Sequence, residues 1–261
     1  MPTFLIQIES KATVLYFTGT NTTKRYAEAF ACALPYETEI ESLRFDHPIN
    51  KNFSDKELFV LAGPVFGGYL PAFVWEQLEN VKGSNTPAVL LAVYGARDYD
   101  NALLEMDTKL SAKGFVTVGA AALVARHSIV TSIASNRPDS HDLDEVKHFA
   151  SDIATRLHDM NSLSDAPQFS FKGNLDGHAA KNPAPLVSQD CIECGICATE
   201  CPVGAIPEDE PNTTDENLCI SCMRCVELCP NGARALPTPL LEGASAMLSQ
   251  KADPTKKNEF F

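Results

Sequence analysis

The stretch Cys191–Pro230 holds one pattern written twice: CIECGICATECP at 191–202 and CISCMRCVELCP at 219–230, CxxCxxCxxxCP in both. Each position of the first copy has its counterpart 28 residues further on. The match extends beyond the cysteines, because Ile192, Gly204 and Ala205 recur as Ile220, Gly232 and Ala233. A duplicated half-module is the plain reading of such self-similarity.

Thiolate sulfur is a soft ligand, and iron in a cubane cluster takes four such ligands. Three come from one tight loop and the fourth from further along the chain, and this spacing provides that set twice. Zinc favours two separated CxxC pairs around four ligands. A disulfide framework needs a secreted chain, and the opening MPTFLIQIES has too short an apolar core and no basic start for a signal peptide or an anchor. The ninth cysteine, Cys32, stands apart. The apolar pattern Tyr26, Ala27, Phe30, Ala31, Leu34 predicts a helix with Cys32 near its buried edge, acting as a small hydrophobe.

The cysteine run resembles the bacterial two-cluster ferredoxins, in which the fourth Cys of each run ligates the other cluster. That resemblance implies two [4Fe-4S] clusters, one on Cys191, Cys194, Cys197 and Cys229, the other on Cys219, Cys222, Cys225 and Cys201.

Upstream, apolar strands alternate with helical patterns. Ala12–Phe17 reads as a strand, followed by the loop Thr18, Gly19, Thr20, Asn21, Thr22, Thr23 and then a helix. Backbone N–H groups at the helix start and several hydroxyls suit an anion such as a phosphate monoester. Neither GxxxxGK nor GxGxxG is present, and a Thr-rich N-cap on an ordinary helix has the same appearance. Further strands are read at 38–43, 58–62, 88–94 and 116–124. The third is followed by Pro64, Val65, Phe66, Gly67, Gly68, the fourth by Gly95, Ala96, Arg97, Asp98, Tyr99, Asp100, and the fifth by Ala125, Arg126, His127, Ser128. Helices are read through Trp75 and Leu78, from near Ala102, and over 140–160, the last with Val146, Phe149, Ile153 and Leu157 on its core face.

These loops resemble those of the flavodoxins. The first matches (T/S)xTGxT with Thr18, Thr20 and Thr23 in the hydroxyl positions and Asn21 where the family has Gly, a substitution that the left-handed tolerance of Asn accommodates. The loop Pro64–Gly68 resembles the one that packs on an isoalloxazine ring, and the loop Gly95–Asp100 places Tyr99 where the family commonly has a stacking aromatic. The resemblance implies FMN, held by Thr18–Thr23, Pro64–Gly68 and Gly95, Ala96, Arg97, Tyr99 and Asp100. Arg97 reads either as a partner of the ring's polar edge or as a solvent pair of Asp98, and His127 lies on the ligand side of the sheet without a settled role.

The expected fold is α/β: a flavodoxin-like, doubly wound, five-stranded parallel sheet of order 2-1-3-4-5, followed by a small α+β bacterial-type ferredoxin domain with two [4Fe-4S] clusters. Boundaries fall at 1–160 for the FMN-binding domain, 161–187 for a Ser/Pro/Gly-rich linker, 188–239 for the ferredoxin domain and 240–261 for a tail frayed beyond Ala252. From Ala12 to Pro237 the chain resembles fused flavodoxin and ferredoxin proteins of anaerobic microbes.

With 261 residues and a formal charge of −13, the chain is read as a cytoplasmic protein without a membrane span. Phosphate backbones need clustered Lys and Arg, so nucleic acid is not an expected partner. The acidic charge suits a basic patch on a redox partner, or serves solubility alone. The expected function is electron transfer between the clusters and FMN, linking redox partner proteins whose identity is open. An FMN-dependent reductase of a small molecule and a redox sensor without turnover are the alternatives. No catalytic acid or base stands out.

Overall fold

The computed structural model describes residues 11–261, so the opening MPTFLIQIES, read above as neither signal nor anchor, lies outside the described residues. The first half runs β1 (Lys11–Tyr16), α1 (Thr22–Ala33), β2 (Glu37–Ser42), β3 (Asn52–Phe53), β4 (Glu57–Pro64), α2 (Ala72–Gln77), β5 (Lys82–Gly83), β6 (Thr86–Tyr94), α3 (Ala102–Ser111), β7 (Phe115–Val124) and α4 (Ser140–Asp159). The rest holds a 3-10 turn at Leu163–Asp165, β8 (Leu186–Val187), α5 (Ile196–Thr199), α6 (Arg224–Leu228), β9 (Arg234–Ala235), α7 (Thr238–Lys251) and β10 (Glu259–Phe260). No described helix is long and apolar enough to cross a membrane.

The main sheet has the order β10-β7-β6-β4-β1-β2, and every pairing except β10–β7 is parallel. The two-residue strands β3 and β5 pair separately, so the five long strands follow the flavodoxin-like order 2-1-3-4-5. Helices cover both faces, which explains why every residue of β6 is buried and why its sequence is a continuous apolar run. Alternate residues feed two cores: Leu15, Phe59 and Leu90 meet α2 and α3, while Val14, Val60 and Leu91 meet α1 and α4.

Two expectations are corrected. Cys32 is exposed, because Tyr26, Phe30 and Leu34 take the core face of α1 and Cys32 lies about 200° round the helix from Phe30. The C-terminal segment is not frayed. β10 adds an antiparallel sixth strand to β7, with Phe260 5.1 Å from Phe149 and Phe261 donating to the Ala120 carbonyl at 2.8 Å. Asn258, buried in front of it, accepts from the Val124 N–H at 2.8 Å and donates to Asp142 at 3.0 Å and Glu145 at 2.8 Å. A two-residue strand is too short to leave a period in the sequence, and Asn258 is paid for by a buried polar network rather than by solvent. The 161–187 stretch is likewise pinned: Tyr69 donates to the Asn174 carbonyl at 3.0 Å, Lys172 pairs with Asp98 at 2.6 Å, and the Ala180 N–H donates to the Phe66 carbonyl at 3.0 Å. The cysteine-rich segment therefore sits between α4 and β10 of one sheet domain, tied down on both sides.

Candidate functional site

All five long strands point their C-terminal ends at one edge, and the loops that follow β1, β4, β6 and β7 meet there. After β1, Asn21 adopts the left-handed conformation (φ 62°) in front of α1, as its side-chain type allows. It does not cap the helix through its side chain; its Oδ1 instead accepts from Arg224 Nη1 at 3.0 Å. The first-turn N–H groups of a helix have no intrahelical partners, and beside them the buried hydroxyls of Thr18 and Thr23 have no hydrogen-bond partner. Orphaned donors at a helix start are what a phosphate monoester would satisfy.

After β4 the chain reverses tightly. Phe66 and Tyr69 bridge each other, and Gly67 and Gly68 take φ of 61° and 95°, which favours glycine. After β6, Gly95 leaves no room for a side chain, because an added Cβ would meet the His127 ring. The result is one crevice with two lobes that share Val65, Phe66, Gly95, His127 and Ser128. The narrow lobe, about 40 Å³, reaches the threonine loop through Gly19, Thr20, Thr22 and Thr23. The wider lobe, about 220 Å³, takes in Gly67, Gly68 and Arg97 and is roofed by Ala180, Asn182, Ser221 and the α7 residues Ala244, Met247 and Leu248.

The expected residues do not all meet there. Pro64 lines the narrow lobe, whereas Thr18, Asn21, Ala96, Tyr99 and Asp100 line neither. Tyr99 is 5% exposed and packed away behind its loop: Lys172 Nζ lies 3.8 Å from its ring centre, Tyr94 meets its edge, and its hydroxyl donates to Glu259 at 3.2 Å. Glu259 of the C-terminal segment, Lys172 and Tyr94 occupy this ring and take it out of the stacking role. Arg97 lines the crevice and pairs with Asp100 rather than Asp98, whose carboxylate is held by Lys172. Asp98 is driven below the usual carboxylate range despite burial, by Lys172 and then Lys256.

His127 is the residue to which sequence assigned no role and which the fold places in both lobes. Its Nδ1 accepts from the backbone N–H groups of Ile129 at 3.2 Å and Val130 at 3.1 Å, so the ring proton sits on Nε2. Burial first, and the Arg97 guanidinium second, push the imidazole down to about 4, so it is neutral at physiological pH. The roof residues carried no sequence signal, because their place depends on how the second segment docks.

In that segment the 28-residue repeat is legible in the backbone. Glu193, Gly195 and Gly204 have positive φ (54°, 77°, 65°), and so do Ser221, Met223 and Gly232 (55°, 64°, 61°). The Ala205 N–H donates to Cys201 Sγ at 3.2 Å, and the Ala233 N–H to Cys229 Sγ at 3.2 Å. Two cavities result. One is lined by Cys191, Cys194, Cys197 and Cys229, the other by Cys219, Cys222, Cys225 and Cys201, so each takes its fourth cysteine from the opposite run. Four sulfurs around each cavity is the disposition a multi-iron cluster requires. Burial raises the thiols of Cys219, Cys225 (to about 11) and Cys222 (to about 12), so thiolate there depends on the charge of bound iron.

The two sites touch. Cys222 lines both its cysteine cavity and the narrow lobe of the crevice, and a Cβ on Gly19 would clash with the Cys222 carbonyl. Arg126 pairs with Glu227 at 2.6 Å across the same seam, and Arg224, held by Glu200 at 3.1 Å, reaches Asn21.

Residues 190–234 match the family model of the 4Fe-4S dicluster domain. Solved structures similar to the chain include a flavodoxin from the domain Archaea (17% identity, 56% of this chain and 98% of that one, TM-score 0.43) and the flavodoxin of Streptococcus pneumoniae TIGR4 (12%, 56% and 98%, TM-score 0.43). Another is the oxidised flavodoxin 2 of Bacillus cereus (14%, 56% and 99%, TM-score 0.38). A search of curated proteins gave no match. The strand order carries the first half and the matched segment the second: the chain joins a flavodoxin-like parallel sheet to a 4Fe-4S dicluster domain.

Proposed function

We propose that this chain is an electron-transfer protein that exchanges electrons between two [4Fe-4S] clusters and FMN and so links redox partner proteins. The observation that carries the reading is Cys222, a residue of one cysteine cavity and of the crevice at once. When bound, FMN supplies a centre that takes one or two electrons, and the clusters supply centres that take one each. The chain does the rest. Thr18, Thr20 and Thr23 and the start of α1 hold the phosphate; Val65, Phe66 and Gly95 wall the crevice; Ala180, Asn182 and α7 keep water from it. The cluster sulfurs are assigned as the cavities group them, with backbone N–H donors on Cys201, Cys219 and Cys229 to moderate their charge.

An anaerobic reductive titration of the reconstituted protein, following flavin absorbance and cluster EPR together with iron and FMN content, tests this. Equilibration of electrons between the centres is the expected result. Clusters that reduce while FMN stays absent or oxidised sink the flavin half. A second reading, reduction of a small molecule at the flavin, is favoured by the wide lobe, where Arg97 and the neutral His127 would face a substrate. Turnover of a soluble acceptor that saturates and depends on His127 would select it over simple relay.

A further inference from the structure

The two cysteine loops differ in what surrounds them. In the second, Ser221, Cys222 and Met223 are 5%, 8% and 3% exposed, Cys222 packed in the core of the sheet domain and Ser221 donating to the Asn182 carbonyl. In the first, Cys194 is exposed, and it is flanked by Ile192 and Ile196, which are 64% and 41% exposed. Large apolar side chains beside an exposed ligand of a redox group form a contact surface, since transfer needs close approach there. The rim is acidic. Asp190 and Glu193 lie on the loop, and the exposed run Glu208, Asp209, Glu210 leads into Pro211, which lines the same cavity. Residues 188–239 carry nine Asp and Glu against only Arg224 and Arg234. Both cations face inward: Arg224 is taken by Glu200 and Asn21, and Arg234 is 2% exposed and bonded to Thr214 and the Pro211 carbonyl.

We infer that the Cys191–Cys197 loop is the docking surface for a redox protein that presents an apolar spot ringed by Lys and Arg. The inference rests on the relay reading for its purpose, and it orders the chain's own residues: partner, Cys191 loop, Cys222 loop, crevice. A second copy of this chain is a poor occupant, because it would bring five carboxylates against five.

The test is binding, with both partners oxidised so that no electron moves. The holoprotein is titrated with ferricytochrome c, a small basic haem protein, by calorimetry at low and at high salt. Glu193→Lys is expected to weaken binding roughly tenfold at low ionic strength and little at high. Asp159→Lys, the same change of charge at the far end of α4, is expected to weaken it about twofold at most. Ile192→Ser is expected to weaken binding at both ionic strengths. Equal losses for Glu193→Lys and Asp159→Lys would overturn the inference, as would a dimer in sedimentation that Ile192→Ser dissociates. Iron content and cluster EPR on each preparation separate the two levels: full clusters with unchanged binding sink the docking surface alone, whereas absent clusters sink the relay reading beneath it.

Discussion

The Cys191–Cys201 loop and the Cys219–Cys229 loop are the same object in two environments. They share the cysteine spacing, the left-handed positions and the N–H···S bonds, so their local geometry follows from the repeat itself. They part company in the residues between the cysteines. The exposed copy has Glu193 and Gly195, and the buried copy has Ser221 and Met223 at the same φ. Cys222 belongs to the core cluster of the sheet domain, whereas the first loop joins no such core. A duplicated module has thus been divided into an inner and an outer half by what packs on it, with the potential-setting factors of exposure and nearby charge made unequal.

The largest expected effect breaks that comparison most directly. Cys194→Ala and Cys222→Ala should each lower bound iron by about half, since each removes one ligand of one cluster. Only Cys222→Ala should also lower FMN content and loosen the seam, because Cys222 lines the crevice and is packed in the core. Equal FMN loss in the two variants would show the loops to be equivalent after all. Metal and flavin analysis of the purified proteins decides it.

Next in size is a pair of glycines. Gly19→Ala puts a Cβ into the Cys222 carbonyl and should cost about 1–3 kcal/mol at the seam. A widened seam should slow electron transfer from the clusters to the flavin, measured as flavin reduction after a pulse of reductant with cluster reduction unchanged. Gly195→Ala meets nothing within 4 Å, and Met223 already holds the matching conformation, so it should cost about 1–2 kcal/mol and leave both clusters in place. Loss of the first cluster in Gly195→Ala would mean that the two loops do not share one backbone requirement.

What could be read from sequence divides along similar lines. The repeated cysteine segment and the five long strands are legible because each is a local pattern: a spacing and a buried run. Asn21 in the left-handed turn followed from its side-chain type. The rest depends on contacts distant in the chain. Loop position places Tyr99 at the ring, while Lys172 and Glu259, 73 and 160 residues on, hold it away from the crevice. The crevice roof at Ala180, Ser221 and Met247 exists only once the segments dock, and β10 is too short to announce itself. Cys32 lies on the exposed side of α1 because Tyr26, Phe30 and Leu34 hold its core face.

The smallest expected effect lies in the crevice face that the buried loop covers. His127 sits at about 4 in the folded chain against an ordinary value of 6.5, because burial and Arg97 oppose its charge. As pH falls through the ordinary value, the unfolded chain takes up this proton while the folded chain does not. The unfolded state then binds more protons, so stability rises with pH between about 4 and 6.5 and is lost as pH falls across that window. Replacing His127 by Gln keeps an acceptor for the N–H groups of Ile129 and Val130 and removes the titration. The drop in Tm between pH 7.5 and 5.5 should therefore be smaller in His127→Gln than in the parent, other groups being common to both. A larger drop in the variant would mean that the imidazolium is stabilised in the fold. The Nδ1 acceptor geometry would then be wrong, and with it the neutral donor assigned to the crevice.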